Sequence, residues 1–374
     1  MLLHLLLLIA CAHKGDDTGA PVEPLVLPDA PAANGAPVGE RTVSANGQTV
    51  EIWYPATDAT ADQPTEWADF GPFVPASVTQ VLGPIDLPTV QTGAVRDAPL
   101  RNAGQPYSVV VFSHGFGGMR LQSLDYAVHL ASRGYVVLAP DHPGRMMGDL
   151  LPCLFSPPLD GCDLTGMTGA DPAIADVEDT VDWLFAGGTF LDGQVDLSHM
   201  AMTGHSAGGG TTASVLDQDS RFTAGIALAA GAEPQAAVPL LLMGGSCDAF
   251  ATDASMQAAR DATDGHSTLV ELQDAGHLAF SDLCQLDLLG LAATVLAPRE
   301  DVNQALLAQL VGLASDGCPG AVPEPALEAC GETYLPLDTS APIVRWGSTV
   351  FLDQALKGAG EGIGTSPYAE ASVR

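Results

Sequence analysis

Residues 200–212, MAMTGHSAGGGTT, are the stretch of sequence that decides the fold. The apolar residues at its start predict a strand, and the small residues at its end predict the first turn of a helix. Between them, Gly204, Ser206 and Gly208 match the pattern G-x-S-x-G, in which a serine stands at the tip of a sharp strand-to-helix turn. The glycines allow the tight turn and the close approach of helix and strand. We therefore predict that Ser206 is a nucleophile.

The sequence ahead of this elbow alternates between predicted strands and helices. Residues 107–113 (YSVVVFS) and 135–139 (YVVLA) are continuous apolar runs, as expected for strands covered on both faces of a parallel sheet. Helical spacing is found between them over 121–133, and a further helix is predicted over 173–184. Residues 48–54 (QTVEIWY) alternate in polarity and predict an earlier, antiparallel strand.

After the elbow, apolar runs predict three further strands, over residues 224–230, 238–243 and 268–272. The alternation of strands and helices argues for an α/β fold with a doubly wound, mostly parallel sheet flanked by helices. In such sheets the functional groups collect at the carboxyl ends of the strands. A serine nucleophile needs a base and an orienting carboxylate, and we look for both at these ends.

The loops after the last two predicted strands supply these groups. Asp248 follows the strand 238–243 and His277 follows the strand 268–272, so both are expected at one edge of the sheet. In folds that carry this elbow, the acid and the base follow the serine in that order. We predict that Ser206, Asp248 and His277 form a catalytic triad.

Other acidic and histidine residues fit these roles less well. Asp253 lies farther from the end of its strand, and Asp274 would share the loop of the base. His266 precedes its strand and is expected at the opposite edge of the sheet. His205 stands inside the elbow, where its side chain is expected to point away from the nucleophilic oxygen and to shape the site.

An oxyanion hole needs two backbone N–H groups directed at the developing negative charge. One is expected from Ala207, at the start of the helix after the nucleophile. The other is expected from Phe116, in the loop HGFGG (114–118) that follows the strand 107–113. Four side chains are predicted to contact the substrate: Phe116, Met119, Phe155 and His205.

Composition limits the function classes. The chain has 374 residues, 47% of them hydrophobic, and a formal net charge of −32. This hydrophobic content is enough for a large core. The acidic surface repels nucleic acid and anionic membrane faces, so we expect no nucleic-acid partner.

The amino terminus predicts export. Residues 1–10 are interpreted as a signal peptide, because their apolar run is too short to span a bilayer. The run ends in LIAC, which resembles the lipobox of bacterial lipoproteins and implies lipidation of Cys11. No Lys or Arg precedes the run, so a plain secretory signal is the alternative. Residues 11–40 are predicted to be a flexible spacer that leads into the folded domain, 41–374. The protein is then an envelope lipoprotein, touching the membrane only through this anchor, or a secreted protein.

The remaining cysteines predict disulfides, in agreement with export. They allow more pairings than the sequence can decide among. Proximity favours Cys153–Cys162 and Cys318–Cys330, which leaves Cys247–Cys284. No pair has the spacing of a zinc site with histidines, and we expect neither a metal nor an organic cofactor.

Together these motifs resemble the α/β-hydrolase superfamily. The residues that carry the resemblance are FSHGFGG (112–118), DHPG (141–144), GHSAGG (204–209) and GH (276–277). With IWYP (52–55) and HLAFSD (277–282), the chain is most similar to the branch of platelet-activating-factor acetylhydrolases, bacterial predicted dienelactone hydrolases and cutinase-like polyester hydrolases. The resemblance covers roughly residues 41–357, with 343–356 as the closing helix.

The resemblance implies a serine carboxylic-ester hydrolase that works through an acyl-enzyme. The polyester-hydrolase relatives tie the acid loop to the base loop by a disulfide, and Cys247–Cys284 is placed to do the same. Rim insertions are predicted at about 58–101 and 145–171. The chain departs from the branch in the loop that carries Cys153 and Cys162, and in a longer segment between Leu283 and Tyr334. Alternatives are a phospholipase A2-like or platelet-activating-factor-acetylhydrolase-like enzyme, a polyester hydrolase, and a non-catalytic surface-binding lipoprotein on the same scaffold.

Overall fold

The computed structural model describes residues 25–26, 35–104, 106–167, 172–263, 265–286, 295–296, 298–307 and 334–374. The predicted signal peptide, the predicted lipidation site at Cys11 and the predicted Cys318–Cys330 bridge lie outside the described residues. Across the ranges that are described, no helix is both long enough and apolar enough to cross a bilayer.

Strands of the described chain form a large central sheet and a small separate one. In chain order they are β1 (Leu25–Val26), β2 (Val38–Ala45), β3 (Gln48–Pro55), β4 (Trp67–Asp69), β5 (Thr89–Gln91), β6 (Val95–Arg96), β7 (Tyr107–Ser113), β8 (Tyr135–Pro140), β9 (Val195–His205), β10 (Phe222–Leu228), β11 (Leu240–Gly245), β12 (Ser267–Leu272) and β13 (Ala371–Val373). The central sheet has the order β13-β12-β11-β10-β9-β7-β8-β3-β2-β6. Its middle, from β12 to β8, is parallel throughout, while β3 and β13 join it antiparallel.

Helices cover both faces of this sheet. The α-helices of the described residues are α1 (Ala76–Leu82), α2 (Leu124–Ser132), α3 (Met147–Leu150), α4 (Ala173–Ala186), α5 (Ala207–Gln218), α6 (Asp253–Ala262), α7 (Leu283–Leu286) and α8 (Leu337–Lys357). One apolar layer holds side chains of α2 and α8, and the other holds side chains of α4, α5 and α6. Successive residues of β7 alternate between the layers, Val110 and Phe112 in the first and Val109 and Val111 in the second. This is the predicted doubly wound sheet flanked by helices.

Several boundaries differ from those predicted. The strand predicted over 238–243 begins at Leu240, after Pro239, because proline has no N–H to donate to a neighbouring strand. The closing helix predicted over 343–356 spans Leu337–Lys357. The folded domain begins ahead of residue 41, since β2 starts at Val38, so the end of the predicted spacer belongs to the sheet.

The two predicted rim insertions have structure of their own. Residues 58–101 contain α1 and the strands β4 and β5. These two strands form a small sheet of order β1-β5-β4 with Leu25–Val26 of the predicted spacer, which pairs with β5. The insertion 145–171 contains α3 and short 3-10 turns, and the predicted Cys153–Cys162 bridge closes it. Cys247 and Cys284 are each disulfide-bonded as well. Their pairing with one another stays a prediction.

Candidate active site

The predicted elbow is built as a strained turn between β9 and α5. Ser206 has φ 56° and ψ −118°, a backbone conformation that residues other than glycine rarely adopt. A Cβ on Gly204 would lie 2.2 Å from the carbonyl oxygen of Gly208, and a Cβ on Gly208 would lie 2.0 Å from that of Ser113. Glycine is therefore required at both positions for helix, elbow and neighbouring strand to approach so closely.

The three predicted triad residues are brought together in one hydrogen-bonded chain. The Nε2 atom of His277 lies 2.8 Å from Ser206 Oγ, and its Nδ1 atom lies 2.8 Å from Asp248 Oδ2. Because a carboxylate only accepts, Nδ1 carries the imidazole proton and Nε2 is free to accept from the serine hydroxyl. Asp248 and His277 are buried, while Ser206 is partly exposed. This arrangement can move a proton from the serine oxygen to the histidine.

The predicted acid is held in a fixed orientation by its own loop. Asp248 Oδ1 accepts the backbone N–H groups of Phe250 at 2.7 Å and Ala251 at 2.8 Å, which leaves Oδ2 directed at His277. The acid and the base follow β11 and β12, which are adjacent parallel strands, as the sequence predicted. Of the rival carboxylates, Asp253 instead bonds Gln257 at the start of α6.

The two predicted oxyanion-hole donors are available. Within the described residues, neither the N–H of Phe116 nor that of Ala207 donates to a protein acceptor. Ala207 is the first residue of α5, where N–H groups have no acceptor inside the helix. The loop around Phe116 is shaped by Gly117 N–H, which donates to the carbonyl oxygen of Arg145 at 2.8 Å.

The predicted substrate-binding side chains divide into two groups. Phe116 is partly exposed, as predicted. Met119 is fully buried, and Phe155 packs in an apolar cluster with residues such as Val302, so both are core residues and this part of the prediction is corrected. The sequence shows that apolar side chains flank the glycine loop, but it does not show whether they point outward or inward. His205 is also buried, at 2% exposure, and cannot line an open pocket.

An aromatic residue that was not predicted from the sequence lies beside the predicted base. Phe250 is 44% exposed, and its ring centroid lies 5.2 Å from that of His277. Its place two residues after Asp248 was the available signal, since the acid loop must run past the base. Phe250 gives the site an apolar surface next to the predicted catalytic residues.

A second Ser–His–Asp chain lies in the interior. Ser113 Oγ lies 2.9 Å from His142 Nε2, and His142 Nδ1 lies 3.0 Å from Asp176 Oδ2. Ser113 and His142 are fully buried, and burial holds the pKa of His142 well below its usual value. No substrate can reach this serine, so we assign the chain a structural role.

Arg145, which the sequence reasoning also missed, ties this interior chain to the site. Its guanidinium donates to Ser113 Oγ at 2.8 Å, to the carbonyl oxygen of His114 at 2.7 Å and to Thr211 Oγ1 at 3.0 Å. The loop of Phe116 and the helix of the elbow therefore share one buried anchor. In the part of the chain that the structure describes, no group of three or more His, Cys, Asp or Glu side chains is arranged to hold a metal.

Comparisons with known proteins find similarity to platelet-activating factor acetylhydrolase. Residues 42–146 match the family model of platelet-activating factor acetylhydrolase, isoform II. A platelet-activating factor acetylhydrolase of Cavia porcellus is 26% identical over 170 residues, which are 37% of this chain and 38% of that protein. The chain thus spans less than two fifths of the length of this curated relative.

The fold extends over nearly the whole chain. A ferulic acid esterase from Streptomyces cinnamoneus superposes with a TM-score of 0.61 at 22% identity, covering 92% of this chain and 98% of that one. The predicted α/β-hydrolase fold is confirmed, and so is the predicted resemblance to the branch that includes platelet-activating-factor acetylhydrolases.

Proposed function

We propose that the protein is a serine hydrolase of carboxylic esters that works through an acyl-enzyme. The observation that carries the proposal is the hydrogen-bonded chain from Asp248 through His277 to Ser206, at a strained elbow beside two available N–H groups. The names of the similar proteins, an acetylhydrolase and an esterase, support ester hydrolysis over other reactions of this scaffold.

In the proposed mechanism, His277 Nε2 accepts the proton of Ser206 as Oγ attacks the ester carbonyl carbon. The N–H groups of Phe116 and Ala207 bind the oxygen that becomes negative. The tetrahedral intermediate collapses, and the alcohol leaves with the proton from His277. Water then gives a proton to the same nitrogen and attacks the acyl group, and Ser206 Oγ leaves and recovers its proton. Asp248 stabilises the imidazolium in both halves.

The substrate we propose is a small ester with an apolar acyl or alcohol group. Phe250 and Phe116 offer apolar surface beside the reacting atoms. The net charge of −32 disfavours strongly anionic substrates. The second candidate substrate is an acetyl ester, as expected for an enzyme similar to platelet-activating factor acetylhydrolase. The family match over residues 42–146 favours it. We also propose export, which the Cys153–Cys162 bridge supports because disulfides persist in oxidising compartments. Lipidation at Cys11 is proposed from the sequence LIAC alone.

An alkyl fluorophosphonate is expected to label the protein at a single serine. The hydroxyl of Ser206 displaces fluoride when His277 removes its proton, and the adduct should be found on the peptide that carries Ser206 by mass spectrometry. Ser113, in the buried chain, should stay unlabelled and serves as the internal control. An intact protein that does not react with the phosphonate, and hydrolyses no p-nitrophenyl ester, would instead be a binding protein on a hydrolase scaffold.

The substitution Phe250→Ala is expected to raise KM about fivefold for p-nitrophenyl esters with large apolar acyl groups. Half of the ring is available to a ligand, and covering half of a phenylalanine is worth about 1 kcal/mol. The acid keeps its backbone hydrogen bond from this residue, so kcat should change less than twofold. Phe185→Ala is the matched control, because Phe185 is also 44% exposed and lies on α4, away from the site. Equal effects of the two substitutions would rule out a role of Phe250 in substrate binding.

A further inference from the structure

Gln122 is a fully buried amide that the proposed mechanism does not use. It precedes α2 in the segment that follows the loop of Phe116. Its side chain lies between that loop and the elbow residue His205, which is itself 2% exposed. A buried polar side chain needs partners for both ends of its amide, and here both partners belong to the site.

The direction of every hydrogen bond in this chain follows from the first. The backbone N–H of Gly115 donates at 2.9 Å to Gln122 Oε1, so the oxygen of the amide is assigned without ambiguity. The amide nitrogen Nε2 then donates at 2.8 Å to His205 Nδ1. Because Nδ1 accepts, the proton of the neutral ring is on Nε2, which donates at 2.9 Å to the carbonyl oxygen of His277.

The surroundings of His205 agree with a neutral ring. Burial, with the nearby His277, lowers the pKa of His205 to about 3. The ring therefore keeps one proton over the range in which an esterase works. That single proton is used to hold the backbone of His277.

We infer that Gln122 and His205 are positioning residues that set the base relative to the nucleophile and the oxyanion loop. Their chain of hydrogen bonds starts at Gly115, next to the donor Phe116, passes through the neighbour of Ser206 and ends on His277. This inference rests on the proposed function.

A second contact of Gln122 holds the far side of the base loop. Its backbone carbonyl oxygen accepts the N–H of Asp282 at 3.1 Å. The segment from His277 to Asp282 is thereby held by Gln122 at both ends. At His277 the contact runs from the Gln122 side chain through His205, and at Asp282 it is made directly by the main chain of Gln122. Displacing a catalytic group by about 1 Å costs on the order of a hundredfold in rate, so the loss of this support should reach the chemical step.

The test compares three variants in hydrolysis of p-nitrophenyl acetate. Gln122→Met keeps the size of the side chain and removes both of its hydrogen bonds, and we expect kcat to fall about 30-fold with KM changed less than threefold. Gln122→Glu should keep kcat within about fivefold of wild type. Its carboxyl group accepts from Gly115 and shares one proton with His205, which leaves His205 Nε2–H on His277.

Tyr126→Phe is the matched control. Tyr126 lies on α2 close to Gln122 and makes a buried hydrogen bond to Thr203 that is not part of the chain. Both substitutions remove buried polar contacts and should lower Tm, but only Gln122→Met should lower kcat. The inference is overturned if Gln122→Met keeps kcat within threefold of wild type. It is also overturned if Gln122→Glu lowers kcat as much as Gln122→Met does.

A measurement on the wild-type protein covers the case in which Gln122→Met does not fold. In ¹⁵N-histidine-labelled protein, His205 should appear by NMR as the neutral tautomer with the proton on Nε2, unchanged from pH 5 to pH 9. A proton on Nδ1, or titration in that range, would overturn the inference. This result does not depend on turnover, so an inactive wild-type protein would contradict the proposed function and leave the hydrogen-bonded chain to be judged by NMR alone.

Discussion

Replacement of Ser206 by alanine is expected to lower kcat for p-nitrophenyl acetate by about 10⁶-fold. The substitution removes the proposed nucleophile and leaves only substrate binding and oxyanion stabilisation. In serine hydrolases these two effects alone still give a rate above that of the uncatalysed reaction. The fold should be kept, because the hydroxyl of Ser206 bonds only to His277 among the described residues. Alanine also has to adopt the same positive φ of 56°, so the strain of the elbow is unchanged.

The matched control for this substitution is Ser113→Ala. Ser113 also contacts a histidine at 2.9 Å and belongs to a Ser–His–Asp chain, but it is buried beneath the site. We expect it to lower Tm, because Arg145 loses an acceptor, and to keep kcat within about tenfold. Residual activity of Ser206→Ala above about 1% of wild type, in protein free of contaminating esterase, would place the nucleophile elsewhere.

The parts of the fold that could be predicted are those whose sequence pattern reflects burial alone. The strands 107–113 and 135–139 are covered on both faces, and their uninterrupted apolar runs give bounds that match or nearly match those of the structure. That Ser206, Asp248 and His277 lie together could be predicted for a related reason. In a parallel sheet the loops after neighbouring strands must lie at one edge, so the order of Ser206, Asp248 and His277 along the chain determines that they meet.

The elements that were missed depend on partners far away in the chain. Strand β2 pairs with β3 and β6 near the edge of the sheet, and β13 pairs antiparallel with β12 on the opposite edge. Strand β2 also buries the carboxyl group of Glu40, which accepts from Trp53 Nε1 at 3.2 Å, so a charged residue interrupts the expected apolar pattern. Such pairing and such a buried acid cannot be deduced from local periodicity.

Whether a side chain points into the core or toward the site could likewise not be predicted from the sequence. Met119 and Phe155 lie in segments that frame the site, yet both point into the core. Gln122 carries no sequence signal at all, since a single glutamine before a helix is ordinarily a surface residue. Its importance follows only from the distances that join it to Gly115 and His205.

The substitution Asp248→Asn is expected to lower kcat by about 10⁴-fold without a comparable loss of stability. Oδ1 of Asp248 accepts two backbone N–H groups, from Phe250 and Ala251, and an asparagine must keep its carbonyl oxygen there to satisfy them. Its amide nitrogen is then forced into the place of Oδ2 and donates to His277 Nδ1. The proton of the neutral imidazole moves to Nε2, which faces Ser206 and can no longer accept from it.

The hydrogen bonds of the loop that holds Asp248 thus predict that Asp248→Asn places the proton of His277 on the wrong nitrogen and leaves the fold intact. Steady-state kinetics with p-nitrophenyl acetate and the rate of phosphonate labelling should fall together, while Tm shifts by a few degrees at most. Asp253→Asn is the matched control, since its carboxylate bonds Gln257 and Arg374, away from the triad, and should leave kcat within twofold. If Asp248→Asn retained more than a tenth of the wild-type kcat, the orientation of His277 would have to come from elsewhere. In that case the hydrogen bond that His205 Nε2 donates to the backbone of His277 is one contact able to supply it.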